Sequence, residues 1–142
     1  MNYDLDRFIQ AQEYSYNIAL AEIKNGFKRT HWMWYIFPQL KELGRSSTAK
    51  YYGIEGLEEA KMYLAHPVLG TRLKEISEAL LKLEVNDPYR VMGDIDGLKL
   101  CSSMTLFAEV EGYDSVFGKV IDKYYSGNKD MNTIHVLDCR LT

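Results

Sequence analysis

The sequence predicts an all-α fold, and three observations carry that expectation. Apolar residues recur every three or four positions through most of the chain. Asp4, Asn25-Gly26, Ser46-Ser47, Gly53, Gly112 and Ser126-Gly127 punctuate those runs as helix starts and stops. No pair of alternating apolar and polar runs flanks a hairpin turn. At 142 residues, with 46% hydrophobic and 26% charged content, the chain can bury a real core. The three prolines are Pro38, Pro67 and Pro88, and there is no linker, repeat or low-complexity stretch. Residues 1–142 are therefore expected to form a single multihelical domain with short irregular helices and loops.

The first helix is expected from Asp4, its N-cap, to the Asn25-Gly26 stop, with Leu5, Phe8, Ile9, Ala19, Leu20 and Ile23 on one stripe. Gln12 is the polar exception on that stripe. Trp32 to Phe37 is apolar at every position, so periodicity alone does not separate helix from strand. One or two helical turns capped by Thr30 fit best, and Pro38 limits the element. Leu43 to Ser47 reads as a turn with two N-cap serines, followed by a short helix through Thr48 to Tyr52 that Gly53 breaks. Leu57, Ala60, Tyr63 and Leu64 mark a helix over Gly56 to Ala65. Pro67 suits the first turn of the next helix, Val68 to Leu83. Asn86-Asp87-Pro88 reads as a loop, and Asp94 as the cap of a helix that ends at Gly112. Ser115 to Tyr125 is again helical in spacing. A last turn or two, from Asn132 through Leu137, completes the chain.

Charge and cysteine content restrict the function classes. The net charge is −3 and the pI about 5.6. That balance argues against nonspecific binding along a duplex, so nucleic acid is not an expected partner. Cys101 and Cys139 form no CxxC pair and cannot supply a disulfide framework. No apolar run approaches the roughly 18 residues of a membrane span. The start, Met1 to Arg7, is acidic and periodic, unlike a secretory signal. A soluble cytoplasmic protein with reduced thiols and no membrane partner is expected.

Candidate chemistry falls in three places. Lys99, Ser102 and Ser103 share a helix face at i, i+3 and i+4, which suits either a Ser-Lys pair or close helix packing. Gly44-Arg45-Ser46-Ser47 at a helix start presents amides and hydroxyls to an anion, or simply caps the helix. Between Lys28 and Gln39 lie both tryptophans, Trp32 and Trp34, beside Lys28, Arg29 and His31. If helical, the two indoles point about 200° apart, so one can fill the core while the other faces a cleft. A core built wholly from these rings is the competing account. His31, His66 and His135 are scattered and lack metal-ligand spacing, so no metal site is expected, and no motif names a cofactor.

Four phrases together resemble a known family. They are Asp6-Arg7-Phe8-Ile9-x-Ala11-Gln12; Lys28-x-x-His31-Trp32-Met33-Trp34-x-Ile36-Phe37-Pro38-Gln39; Ala65-His66-Pro67-Val68-Leu69-Gly70-x-Arg72-Leu73; and Asp96-x-x-Lys99-Leu100-x-Ser102-Ser103-Met104-Thr105-Leu106-Phe107. Nearly the whole chain resembles an uncharacterised bacterial domain-of-unknown-function family, and the His-Trp-Met-Trp phrase is specific to it. Its members sometimes carry the label calpastatin. Such inhibitors are disordered until bound, whereas this chain has the apolar content of a packed domain. The resemblance implies a single all-α domain, and it also implies a link to nucleotide or ADP-ribose chemistry. Its phrases set Gln12, Lys28, His31, Gln39, His66, Lys99, Ser102 and Ser103 beside large apolar residues, and these are expected to converge on one cleft.

The main expectation is an enzyme or sensor for a small anionic, ring-containing ligand such as a nucleotide or ADP-ribose derivative. His31 is its acid–base residue. Trp32 or Trp34 is its stacking platform, and Lys28, Arg29 and Lys99 contact the anion. Gln39, Arg45, Ser46, Ser102 and Ser103 complete the ligand-binding set. The alternative is a protein-interaction module that exposes the aromatic strip, with a homodimer through that strip as one form of it.

Overall fold

The computed structural model describes residues 3–141; Met1 and Asn2 of the N-terminal reading, and Thr142, lie outside the described residues. Among the described residues the chain forms nine α-helices and no strand. They are α1 Asp6–Lys24, α2 Met33–Ile36, α3 Ser47–Tyr51, α4 Leu57–Ala65, α5 Leu69–Lys82, α6 Pro88–Met92, α7 Asp94–Glu111, α8 Val116–Tyr125 and α9 Met131–Leu141. One 3-10 turn, Lys41–Leu43, and a lone parallel bridge between Leu40 and Ile54 supply the remaining regular backbone. The all-α, single-domain architecture read from the sequence is the one that forms.

α7 is the axis of the packing. Every residue from Leu100 to Ala108 is buried, so this stretch has no solvent face and no amphipathic stripe. α4, α6, α8 and α9 pack around it. Phe107 reaches Tyr63 of α4 and Phe117 of α8, with ring centroids 5.4 Å and 5.7 Å away. Each such fully buried large side chain contributes about 1.5–3 kcal/mol of transfer free energy. α5 lies against α1, α4 and α8 and completes the body of the fold.

Several helix ends differ from the sequence expectation, each for a local reason. α1 begins at Asp6 with Leu5 as its cap. Asp4 does not cap it; its carbonyl accepts a hydrogen bond from the Arg7 guanidinium. Thr30 does not cap α2, because its hydroxyl is given to Glu22 at 2.7 Å. The expected loop at Asn86-Asp87-Pro88 is a helix start: the Asp87 carboxylate accepts from the Tyr89 amide at 2.9 Å, and Pro88 opens α6. Gly93, at φ +92°, then caps α7, and Asp94 is its first helical residue. α9 starts at Met131, where Asp130 accepts from the Thr133 amide at 3.0 Å, and it runs on to Leu141, past the expected end at Leu137. Gly53 holds the chain against the 3-10 turn, since a Cβ there would stand 2.4 Å from the Lys41 Cα.

Three polar ties fasten these elements. Arg7 and Glu59 pair at 2.9 Å with side chains 9% and 1% exposed, and Arg7 also donates to the carbonyls of Tyr51 and Gly53. Gln12 is buried, and its amide donates to the Tyr35 carbonyl at 2.8 Å and the Tyr63 hydroxyl at 3.1 Å. Glu22 accepts from the Arg29 amide at 2.8 Å, the Thr30 amide at 3.1 Å, the Thr30 hydroxyl and the Trp32 indole at 2.9 Å. Burial alone would push the Glu22 carboxyl up; the Arg29 amide and the Thr30 and Trp32 donors outweigh it and hold the group down at about 2.

Two stability predictions follow from these ties. Replacing Arg7 with Met leaves the Glu59 carboxylate buried without its cation, and the urea midpoint should fall by the equivalent of about 3–5 kcal/mol. Replacing Glu22 with Gln should cost about 1–3 kcal/mol near neutral pH. The folded value of about 2 lies below the ordinary 4.5. The charge therefore stabilises in full above the unfolded value and less as pH falls toward the folded one. Tryptophan-monitored urea unfolding should show the gap between wild type and Glu22→Gln shrinking from about pH 7 to about pH 3. An equal gap at both would show that the carboxylate charge is not what holds this loop.

Candidate functional site

Burial of α7 stops at its first two turns. Ile95 and Leu98 are 69% and 61% exposed there, and Lys99 is half-buried beside them. Facing this end of α7 is the segment from Gln39 to Ser46. The Ile54 amide donates to the Gln39 carbonyl at 2.9 Å, and the Lys41 amide to the Ile54 carbonyl at 2.8 Å, which fixes the near end of that segment. Ser46 fixes the far end by capping α3, its Oγ accepting from the Ala49 amide at 3.1 Å. The first turns of α9 close the groove between them.

Three adjoining hollows share Gln39 and Lys99. The largest, about 430 Å³, is walled by Glu42, Leu43, Arg45, Leu98, Ser102, Asp130, Asn132, His135 and Val136 in addition. The second, about 350 Å³, adds Leu43, Gly44, Arg45, Ser46, Ala49 and Ile95. The third lies under Trp34, Met33, Phe37, Ala49 and Tyr52, and its volume of about 10 Å³ is water-sized.

The groove carries free positive charge. Neither Lys99 nor Arg45 makes an ion pair or side-chain hydrogen bond to a described residue. The hydroxyl proton of Ser46 is not used in capping, so it can be given to another acceptor. Asp130 is pinned in the wall: it accepts from Ser102 at 3.1 Å and from the Thr133 amide at 3.0 Å, while its own amide donates to the Thr105 hydroxyl at 2.9 Å. Ser102 therefore leans on a carboxylate, and α7 is tied to the start of α9 through it. The neighbouring Cys101 thiol is pushed up to about 11 by burial and then by the Asp130 charge, which leaves it a protonated packing group near neutral pH. His135 places its Nε2 3.7 Å from the Cys139 sulfur.

The structure divides the residues singled out in the sequence. Trp34, Gln39, Arg45, Ser46, Lys99 and Ser102 come together on the groove walls. Lys28, Arg29, His31, Trp32 and Ser103 line none of the three hollows. Lys28 pairs with Asp96 at 2.9 Å and lies 4.9 Å from the Trp32 ring centroid. Arg29 and His31 are exposed. Trp32 is 1% exposed and gives its indole N–H to Glu22. Ser103 is fully buried in α7, with no partner for its hydroxyl among the described residues.

Two expectations are corrected. Of the eight polar residues expected in one cleft, only Gln39, Lys99 and Ser102 share it. Gln12 is spent inside the core, and His66 accepts from the Val68 amide at 3.1 Å at the start of α5. The aromatic strip is not a surface: Trp32, Met33, Ile36 and Phe37 are at most 3% exposed, because they close the end of the core. Sequence reasoning missed Glu42, Asp130, Asn132 and His135. The signal was present in Asn132, His135 and Val136, which share a helix face at i, i+3 and i+4, once α9 is seen as a full helix. Among the described residues no group of three His, Cys, Asp or Glu side chains could hold a metal ion. Among the described residues no helix is long and apolar enough to cross a membrane.

Comparison with known proteins gives a family and a fold. The family model described as "Protein of unknown function (DUF1810)" matches residues 2–137. Among solved structures the chain is similar to the conserved hypothetical protein Rv1873 from Mycobacterium tuberculosis, at 43% identity and a TM-score of 0.93, over 96% of this chain and 97% of that one. No curated protein matches. With a helical body of the same shape and a family match along nearly its whole length, the chain belongs to the family of proteins of unknown function DUF1810.

Proposed function

We propose that this protein binds a small anionic ligand in the groove between the Gln39–Ser46 segment and the N-terminal half of α7, with Lys99 and Arg45 as the anion contacts. The observation that carries this is the pair of cations on shared walls, neither of them ion-paired to a described residue, in a chain of net charge −3. Four cations elsewhere are held in ion pairs: Arg7 with Glu59, Lys28 with Asp96, Lys41 with Glu55 and Lys74 with Glu111. Two unit charges about 4 Å from an anion supply about 2–8 kcal/mol before the cost of association. Gln39 and Ser46 stand on the same walls with neutral donors.

The two larger hollows have the volume of small-ligand sites. A ring in the ligand fits there, against Leu43 and Ile95, rather than on Trp34, whose hollow has room for about one water. His31 lines none of the hollows, and no reaction is assigned to the groove. Isothermal titration with inorganic phosphate, AMP and ADP-ribose tests this reading. At least one probe should bind, and Lys99→Ala and Arg45→Ala should each weaken it by about tenfold, or about 1.4 kcal/mol, with the unliganded unfolding temperature unchanged. His31→Ala should bind as wild type does. Silence from all three probes, or unchanged binding by the double variant, would overturn it.

A further inference from the structure

We infer that the anion taken by this groove is the phosphate of a polyhydroxyl compound, a sugar phosphate or its nucleotide relatives, bound with a fixed polarity. The inference rests on the anion-binding reading above and deepens it. The two larger hollows share Arg45, Lys99 and Gln39 but differ in what else lines them. The hollow toward Ser46 and Ile95 contains both cations and no carboxylate. The hollow toward α9 adds the carboxylates Glu42 and Asp130 and the amide of Asn132. An anion is stable in the first and repelled by the carboxylates of the second. Hydroxyl groups have the opposite preference: they donate to carboxylate and amide oxygens, and such charge-assisted bonds are the stronger kind.

Asp130 cannot turn to neutralise Lys99 instead, because Ser102 and the Thr133 amide hold it in place. The groove thus keeps a cationic end and an acceptor end side by side. A ligand spanning both needs a phosphate at one end and several hydroxyls at the other. An alkyl phosphate would satisfy only the cationic end and the apolar rim at Ile95 and Leu98.

Three probes separate the parts: inorganic phosphate, butyl phosphate and ribose 5-phosphate, titrated by calorimetry into the full-length protein. Ribose 5-phosphate should bind at least about tenfold more tightly than butyl phosphate, equivalent to about 1.4 kcal/mol. Asn132 is exposed, so Asn132→Ala should fold normally by circular dichroism. It removes no charge, and it should erode the ribose 5-phosphate advantage while leaving inorganic and butyl phosphate unchanged. Butyl phosphate binding as tightly as ribose 5-phosphate would overturn the polarity but leave the anion site standing. So would a variant that weakens all three probes alike. Absence of binding by every phosphate compound would remove the inference together with the reading it rests on.

Discussion

The fold depends on one constraint, the all-round burial of α7 from Leu100 to Ala108. A helix with no wet face needs neighbours on every side, and α4, α6, α8 and α9 supply them. Its hydroxyls have to be accommodated as well. Thr105 accepts from the Asp130 amide and Ser102 donates to the Asp130 carboxylate, so the same helix that anchors the core also sets the position of α9. The wrapping stops short of the first two turns, where Ile95, Leu98 and Lys99 reach the surface. The groove is what lies at that boundary. One wall is the end of a core helix and the other is the Gln39–Ser46 segment tied to Ile54.

Polar residues beside aromatic ones turned out to do two different jobs. Gln12, Lys28 and Glu22 are tie-points: each gives buried or half-buried partners the hydrogen bonds they would otherwise lack. Gln39 and Lys99 stand in the open groove. In the sequence both kinds look the same, a polar side chain within a dense apolar phrase. What separates them is whether the partner comes from the fold. The Trp32 indole finds Glu22 ten positions earlier, which staples the start of the Lys28 to Phe37 segment over the core, while Trp34 stands on the groove wall.

Helices with a one-sided apolar stripe were legible, and α1, α4, α5 and α8 appear within a few residues of their expected bounds. α6 was not, because the Asp-Pro pair that opens a helix also opens a loop. α9 was read as ending at Leu137 and runs on to Leu141, with no glycine or proline after Leu137 to stop it. The groove was half legible. Arg45, Ser46, Lys99 and Ser102 could be named from local patterns, but not that they face one another. Their meeting depends on the Leu40–Ile54 bridge and on the docking of α9, contacts between distant parts of the chain. His135 and Asn132 belong to that nonlocal half.

Charge pairing explains why Lys99 is left for the groove. Asp96 and Lys99 sit at i and i+3 on α7, the spacing at which opposite charges on a helix meet. Asp96 instead holds Lys28 at 2.9 Å, with the two side chains 22% and 7% exposed. Lys28 is further secured by its backbone amide on the Val91 carbonyl, at 2.7 Å, and by the nearby Trp32 ring. The nearly buried cation competes better for the carboxylate than the more exposed one, because attraction strengthens as water is excluded. Lys28, expected from the sequence to touch a ligand, is tied to Asp96 instead. By occupying Asp96 it keeps an intrahelical partner away from Lys99, and the positive end of the groove persists in an acidic protein.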